Sequence, residues 1–172
     1  SLGQHKKALE DLNKAIALKP DGAEAYSNRG NVYLSLGQTQ KALADFDEAV
    51  RLQPDNPAIY FNRGSIYIRL AQYPRAIEDL NQAISLNSSY ADAYNNRAFI
   101  YLQLGNYQQA FDDYSQAISI KPDYADAYNN RAFIYLSTGN IAAGCRDAQK
   151  ACERGTCSTW QLATEKGICR QN

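Results

Sequence analysis

Apolar and small residues recur along the chain three and four positions apart. Tyr94, Ala98 and Tyr101 mark one such face, and Ala110, Tyr114 and Ala117 mark the next. That spacing stacks side chains on one side of an α-helix, whose turn takes about 3.6 residues. No β-branched alternating run competes, so the pattern predicts an almost wholly helical chain. Two kinds of break separate the helices. Leu36-Gly37-Gln38, Leu104-Gly105-Asn106 and Thr138-Gly139-Asn140 centre on a Gly, which takes the positive φ that ends a helix. Lys19-Pro20-Asp21, Gln53-Pro54-Asp55 and Lys121-Pro122-Asp123 stop a helix because Pro cannot continue one. Pro57 and Pro74 read as helix starts, where a missing N–H costs nothing.

The pattern repeats. Shifted by 34 positions the chain falls on itself, with Tyr26, Tyr60, Tyr94 and Tyr128 in register. Asn28, Asn62, Asn96 and Asn130 also align, as do Arg29, Arg63, Arg97 and Arg131, and Tyr33, Tyr67, Tyr101 and Tyr135. The segment YADAYNNRAFIYL occurs at 90–102 and again, unchanged, at 124–136. Each unit reads as two helices joined by a tight turn, so the prediction is an all-α array of helix pairs.

Tyr26, Gly30, Tyr33, Gly37, Ala42, Phe46, Ala49 and Pro54 stand at the spacings of a known motif. Over residues 1–154 the chain resembles the tetratricopeptide repeat family, whose unit is 34 residues long. Departures are mild: Tyr for the usual Trp, Ala71 for a turn Gly, and Ser88 for the Pro. Gly144 stands for an Ala, which is expected to loosen its helix by up to ~1 kcal/mol. The resemblance implies an α-solenoid, a right-handed superhelix of antiparallel helix pairs. It divides the chain into a half repeat over 1–20, repeats starting near 23, 57, 91 and 125, and a cysteine-bearing capping helix over 155–172. The half repeat holds only a second helix, its partner being missing or upstream. Leu9, Leu12 and Ile16 are therefore expected to be partly uncovered, or covered by another copy in a homo-oligomer.

Two polar series run through the repeats. Arg29, Arg63, Arg97 and Arg131 sit where the family more often has Leu, and a charge in a packed seam needs an anion. Asp11, Asp45, Asp79, Asp113 and Asp147 share the period and predict Arg–Asp pairs between helices, with a phosphate-binding Arg row as the alternative. The second series is a polar stripe on the first helices, which the resemblance places on the concave side. Asn28 and Asn31 lie on it, with Glu24, Ser27 and Ser35 beside them. It continues with Phe61, Asn62, Ser65 and Arg69, then Asn95, Asn96, Phe99 and Gln103 with Asp92, then Asn129, Asn130 and Phe133 with Asp126 and Ser137. A carboxamide both donates and accepts, so it can pair with a peptide backbone without reading side chains. An Asn row of this kind resembles the ladder with which some family members hold extended peptides; the plainer alternative is a solvated polar face. The family's clamp for terminal carboxylates uses Lys and Arg on these helices; the corresponding first positions here are Ser27, Phe61, Asn95 and Asn129, with no Lys among them, so recognition of chaperone C-terminal tails is not expected.

Composition narrows the chemistry. Across 172 residues, 18 Lys+Arg balance 18 Asp+Glu, which argues against an electrostatic grip on nucleic acid. No apolar run approaches the ~20 residues that span a bilayer, so no membrane insertion is expected. With one His, no phosphate loop and no Gly-rich dinucleotide turn, the chain is not expected to be an enzyme or to hold a cofactor or metal. A chain without Met that starts at Ser1 is expected to be part of a longer product, with any signal peptide upstream.

Cys145, Cys152, Cys157 and Cys169 all follow the repeats. No C-x-x-C pair favours zinc or thiol redox chemistry. Two disulfides are the favoured state, with free buried thiols as the alternative. Bridges imply an oxidising compartment, the bacterial periplasm or the exterior, rather than the cytoplasm. Residues 142–154 continue a second helix, Gly155 stops it, and Ser158-x-x-Gln161 reads as a capping box for a last helix through Lys166. Cys145 and Cys152 stand about 10 Å apart on one helix, too far for a mutual bridge. A hairpin turning near Thr156 then pairs Cys145 with Cys169 and Cys152 with Cys157. Trp160 and Leu162 are expected to cover the last repeat. The tail is similar to cysteine-bearing ends of some bacterial repeat proteins. Together these features predict a module that binds a protein or peptide segment; the alternative is a self-associating scaffold built through repeat ends or convex faces.

Overall fold

A computed structural model describes residues 2–170, and every secondary-structure element among them is an α-helix. The chain forms two compact units, Ser1–Ser88 and Ser89–Asn172. The first holds α1 (Leu2–Leu18), α2 (Ala23–Ser35), α3 (Thr39–Leu52), α4 (Pro57–Arg69) and α5 (Tyr73–Leu86). The second holds α6 (Ala91–Gln103), α7 (Tyr107–Ile120), α8 (Ala125–Ser137), α9 (Ile141–Glu153) and α10 (Ser158–Glu165). Helices pair as α2/α3 and α4/α5 in the first unit, and as α6/α7 and α8/α9 in the second. No described helix is long and apolar enough to cross a membrane.

The turns within pairs follow the sequence reading. Gly37 has φ 71°, its N–H donates to Leu34 O, and the Gln38 N–H donates back to Tyr33 O at 2.8 Å. These are the two hydrogen bonds that close a helix end on a left-handed residue. Ala71 adopts the same conformation with φ 53° and the same pair of bonds, to Ile68 O and Tyr67 O, although its Cβ opposes it. Pro57 opens α4, and the Asn56 side chain accepts from the Ala58 N–H at 3.0 Å.

The cores form where the repeat places small and large residues in opposition. In the first unit Ala42, Phe46, Ala49, Ile59 and Ile66 are buried together. A Cβ on Gly30 would come 2.9 Å from the Phe46 ring, so only Gly lets α2 approach that ring. In the second unit Ala98, Tyr114, Ala117, Ala127 and Ile134 form the corresponding cluster. Gly144 differs from the sequence reading. It does more than loosen α9: a Cβ there would lie 2.6 Å from Leu136 Cγ, so the close approach of α8 and α9 requires the missing side chain.

The cap reading is corrected at its first residue and refined in its packing. Ser158 is the first residue of α10 rather than its cap, and Cys157 stands at the N-cap with no side-chain capping bond. The Ser158 hydroxyl points instead to α8, donating to Asn129 Oδ1 at 3.0 Å. The residue α10 buries is Ala163, while Trp160 is half-buried and Leu162 is 49% exposed.

Candidate functional site

The Arg series is structural. Each guanidinium forks onto the Asp sixteen positions later, on the second helix of its own pair. Arg29 meets Asp45 at 2.8 and 2.7 Å, and Arg63 meets Asp79 at 2.9 and 2.7 Å. Arg97 meets Asp113 with two bonds of 2.7 Å, and Arg131 meets Asp147 at 2.7 and 3.2 Å. A third bond reaches back to the preceding helix: Arg29 to Asn13, Arg63 to Asp47, Arg131 to Ser115. Each Arg also lies over a Tyr of its own helix, with Arg97 5.5 Å from the Tyr94 ring centre. The bond to Asp113 holds the Arg97 pKa above its ordinary value against the opposing effect of burial, and the bond to Asp45 does the same for Arg29. Asp11 lies exposed on α1.

The polar stripe is not uniform. In the first unit Asn28, Asn31 and Arg69 are exposed, whereas Phe61, Asn62 and Ser65 are half-buried. The Ser65 hydroxyl donates to Phe61 O at 2.8 Å, one turn back in α4. In the second unit Phe99 and Gln103 are exposed on α6, and Phe133 is exposed on α8. Asn95, Asn96, Asn129 and Asn130 are half-buried, so they do not project freely into solvent. The Asn95 Oδ1 is buried without a hydrogen bond. Asn129 Nδ2 donates to Asn130 Oδ1 at 3.3 Å, and the Asn130 side chain lies beside the buried Tyr114 hydroxyl. Part of the acidic edge is occupied too. Burial and the Asp92 carboxylate together push the Tyr124 hydroxyl above its usual range, and Asp126 accepts from the Thr156 hydroxyl at 3.0 Å.

The cap closes over the end of α8. Thr159 donates its backbone N–H to Asn129 Oδ1 at 3.0 Å and its hydroxyl to Asn129 O at 3.2 Å. Cys145 is bridged to Cys169, and Cys152 to Cys157, as the sequence predicts. Sequence reasoning missed what this builds. Leu162, Lys166 and Ile168 face Phe133 and Leu136 across a small cleft. A signal was present: the 34-residue period carries Ala125 to Thr159, so α10 begins where the first helix of another repeat would.

A family model described as TPR repeat matches residues 1–37, 30–71, 64–105 and 99–139. Among curated protein sequences none matches the chain. Among solved structures the chain is similar to a crystal structure of MamA, at 26% identity and a TM-score of 0.80, covering 95% of this chain and 92% of that one. It is similar to YrrB, described as a TPR protein with an unusual peptide-binding site, at 24% identity and a TM-score of 0.76, covering 96% and 86%. It also matches the first TPR of Spaghetti (RPAP3) bound to HSP90 peptide SRMEEVD, at 29% identity and a TM-score of 0.65, covering 67% and 92%.

Proposed function

The chain belongs to the tetratricopeptide repeat family, and on that premise we propose that it is a non-catalytic module holding an extended protein or peptide segment against its first helices. One observation carries the reading. Phe99 and Phe133, at the same place in the duplicated segment, are 36% and 46% exposed on a face that is otherwise polar. Aromatic side chains left open among hydrogen-bonding groups are the usual anchors of an interface. Gln103 is exposed one turn along α6 from Phe99 and can meet a peptide backbone; in the first unit, Asn28 and Asn31 are exposed on α2 and have the same capacity. Each such bond adds a net ~0.5–1.5 kcal/mol, which favours micromolar rather than nanomolar binding. The peptide-binding descriptions attached to two of the similar structures support the same class of partner. The two bridges of the cap suit an oxidising compartment.

A scaffold role is the second reading, favoured by α1, where Leu18 is 88% exposed and Leu9, Leu12 and Ile16 are only half-covered. Light scattering across a concentration series separates the two, since a scaffold gains mass and a binding module does not.

The test of binding is selection of short linear peptides from a phage-displayed library on the purified chain. Replacing both Phe99 and Phe133 by Ala leaves the buried core untouched and should weaken the selected peptides at least tenfold. Peptides that bind this variant as well as the wild type, or a library that yields no binder, overturn the proposal. Asn62, Asn96 and Asn130 are poorer probes because they are half-buried, so their loss would mix stability with binding.

A further inference from the structure

The cleft between α8 and α10 measures about 190 Å³ and is walled by Phe133, Leu136, Leu162, Ala163 and Ile168, with Lys166 at its edge. Small-molecule sites usually exceed roughly 300 Å³, so this one suits a single side chain rather than a cofactor. Three of its walls are open: Phe133 is 46% exposed, Leu162 49% and Ile168 40%. Three large apolar side chains left uncovered around one hollow are a contact feature rather than a scatter of surface residues.

The walls are held before any partner arrives. The Cys145–Cys169 bridge ties the tail to α9 one residue after Ile168. The Ile168 N–H donates to Ala163 O at 2.8 Å, and Ser158 and Thr159 tie the start of α10 to Asn129. A pocket whose walls are already fixed loses little order on binding. Charge then decides what enters. Lys166 is the charged group that lines the cleft, and it makes no ion pair among the described residues.

From this we infer that the cleft is the anchor pocket of the chain: it takes one aliphatic or aromatic side chain of the bound segment, and an acidic residue next to that side chain pairs with Lys166. The inference rests on the binding role proposed above and adds to it the identity of the preferred segment. The acidic preference is local to this end, where Asp126 is already engaged by Thr156.

The experiment compares peptides selected from the same phage-displayed library on the wild type and on Lys166→Glu. Wild-type peptides should share an apolar residue with Asp or Glu one or two positions away. The Lys166→Glu peptides should keep the apolar residue and exchange the acid for Lys or Arg. For one wild-type peptide, replacing its apolar residue by Ala should weaken binding at least tenfold. Leu162→Gln should weaken the parent peptide to the same degree and leave the Ala peptide unaffected. Leu162 and Lys166 are both exposed, so neither change threatens the fold. If Lys166→Glu selects the same acidic peptides, or if Leu162→Gln weakens both peptides equally, the pocket is not the anchor site. The broader binding role survives that outcome as long as Phe99→Ala still weakens both peptides. A wild-type chain that selects no peptide removes both.

Discussion

The Arg–Asp forks should behave as coupled pairs, so that removing both partners costs no more than removing one. Arg97 and Asp113 serve as the test pair, with two bonds of 2.7 Å between them and side-chain exposures of 18% and 10%. Asp113→Ala takes both forked acceptors from a guanidinium in the seam between α6 and α7, and Arg97→Leu strands a carboxylate there. Stranding one partner of a fully buried pair costs ~3–5 kcal/mol. The remaining exposure of Arg97 lets water relieve part of this, so each single change should cost about 2–3 kcal/mol. The double variant removes both charges and puts Leu where the family commonly has it. It should cost no more than either single variant, giving a coupling energy of about 2–3 kcal/mol. Urea unfolding followed by far-UV circular dichroism measures all four proteins. Because the donors are used internally, added inorganic phosphate should leave the midpoints unchanged. A double variant that costs the sum of the two singles, or a phosphate-dependent rise in the wild-type midpoint, would refute the pairing argument and revive an anion-binding Arg row.

Three further outcomes follow from single sites. Tyr114→Phe removes a hydroxyl that is buried without a hydrogen bond of good geometry, and Phe46 shows that the position accepts a bare ring, so stability should rise by about 1 kcal/mol. Burial raises the Tyr114 pKa, with the Asn130 side chain opposing it, so above pH ~10 the unfolded chain loses this proton first and stability falls. The advantage of Tyr114→Phe should therefore widen on the alkaline side in denaturant titrations, and a constant gap would argue against the burial. Ala71→Gly relieves a left-handed residue at φ 53° worth ~1–2 kcal/mol, less the ~0.5–1 kcal/mol that Gly costs in chain entropy. Its thermal midpoint should rise by an amount equivalent to about 0.5–1 kcal/mol, and a fall would be fatal to the argument. Gly144→Ala should destabilise by about 1–3 kcal/mol through its clash with Leu136, even though Ala is the better helix former. A more stable Gly144→Ala protein would show that α8 and α9 are not as closely packed as described.

Much of the molecule was legible in its sequence, for reasons of periodicity and local chemistry. The 34-residue recurrence marks the helix pairs, because each pair must present the same small and large residues to its neighbours. The Gly turns follow from one residue's freedom at positive φ, and Ala71 shows that the surrounding turn can impose that conformation on another residue. The Arg–Asp pairs were readable because two charge series share one period. The cysteine pairing was readable because helix rise sets which thiols can meet.

What the tertiary structure alone decided is how open each polar residue is. Helical spacing assigns Asn95, Asn96, Asn129 and Asn130 to one face, but the neighbouring helix sets how much water that face sees. Packing half-buries all four and leaves Asn95 Oδ1 without a partner. The duplicated segments are identical from Tyr90 to Leu102 and from Tyr124 to Leu136, yet the side-chain oxygen of Asn129 accepts two bonds from the cap and that of Asn95 none. Identical local sequence could not distinguish them, because the difference lies in Ser158 and Thr159, about thirty residues further along the chain. The same holds for Gly144, which local propensity marks as a weak point and the approach of Leu136 makes a requirement. Local pattern specifies faces and turns; solvent access and close contact depend on what another part of the chain places against them.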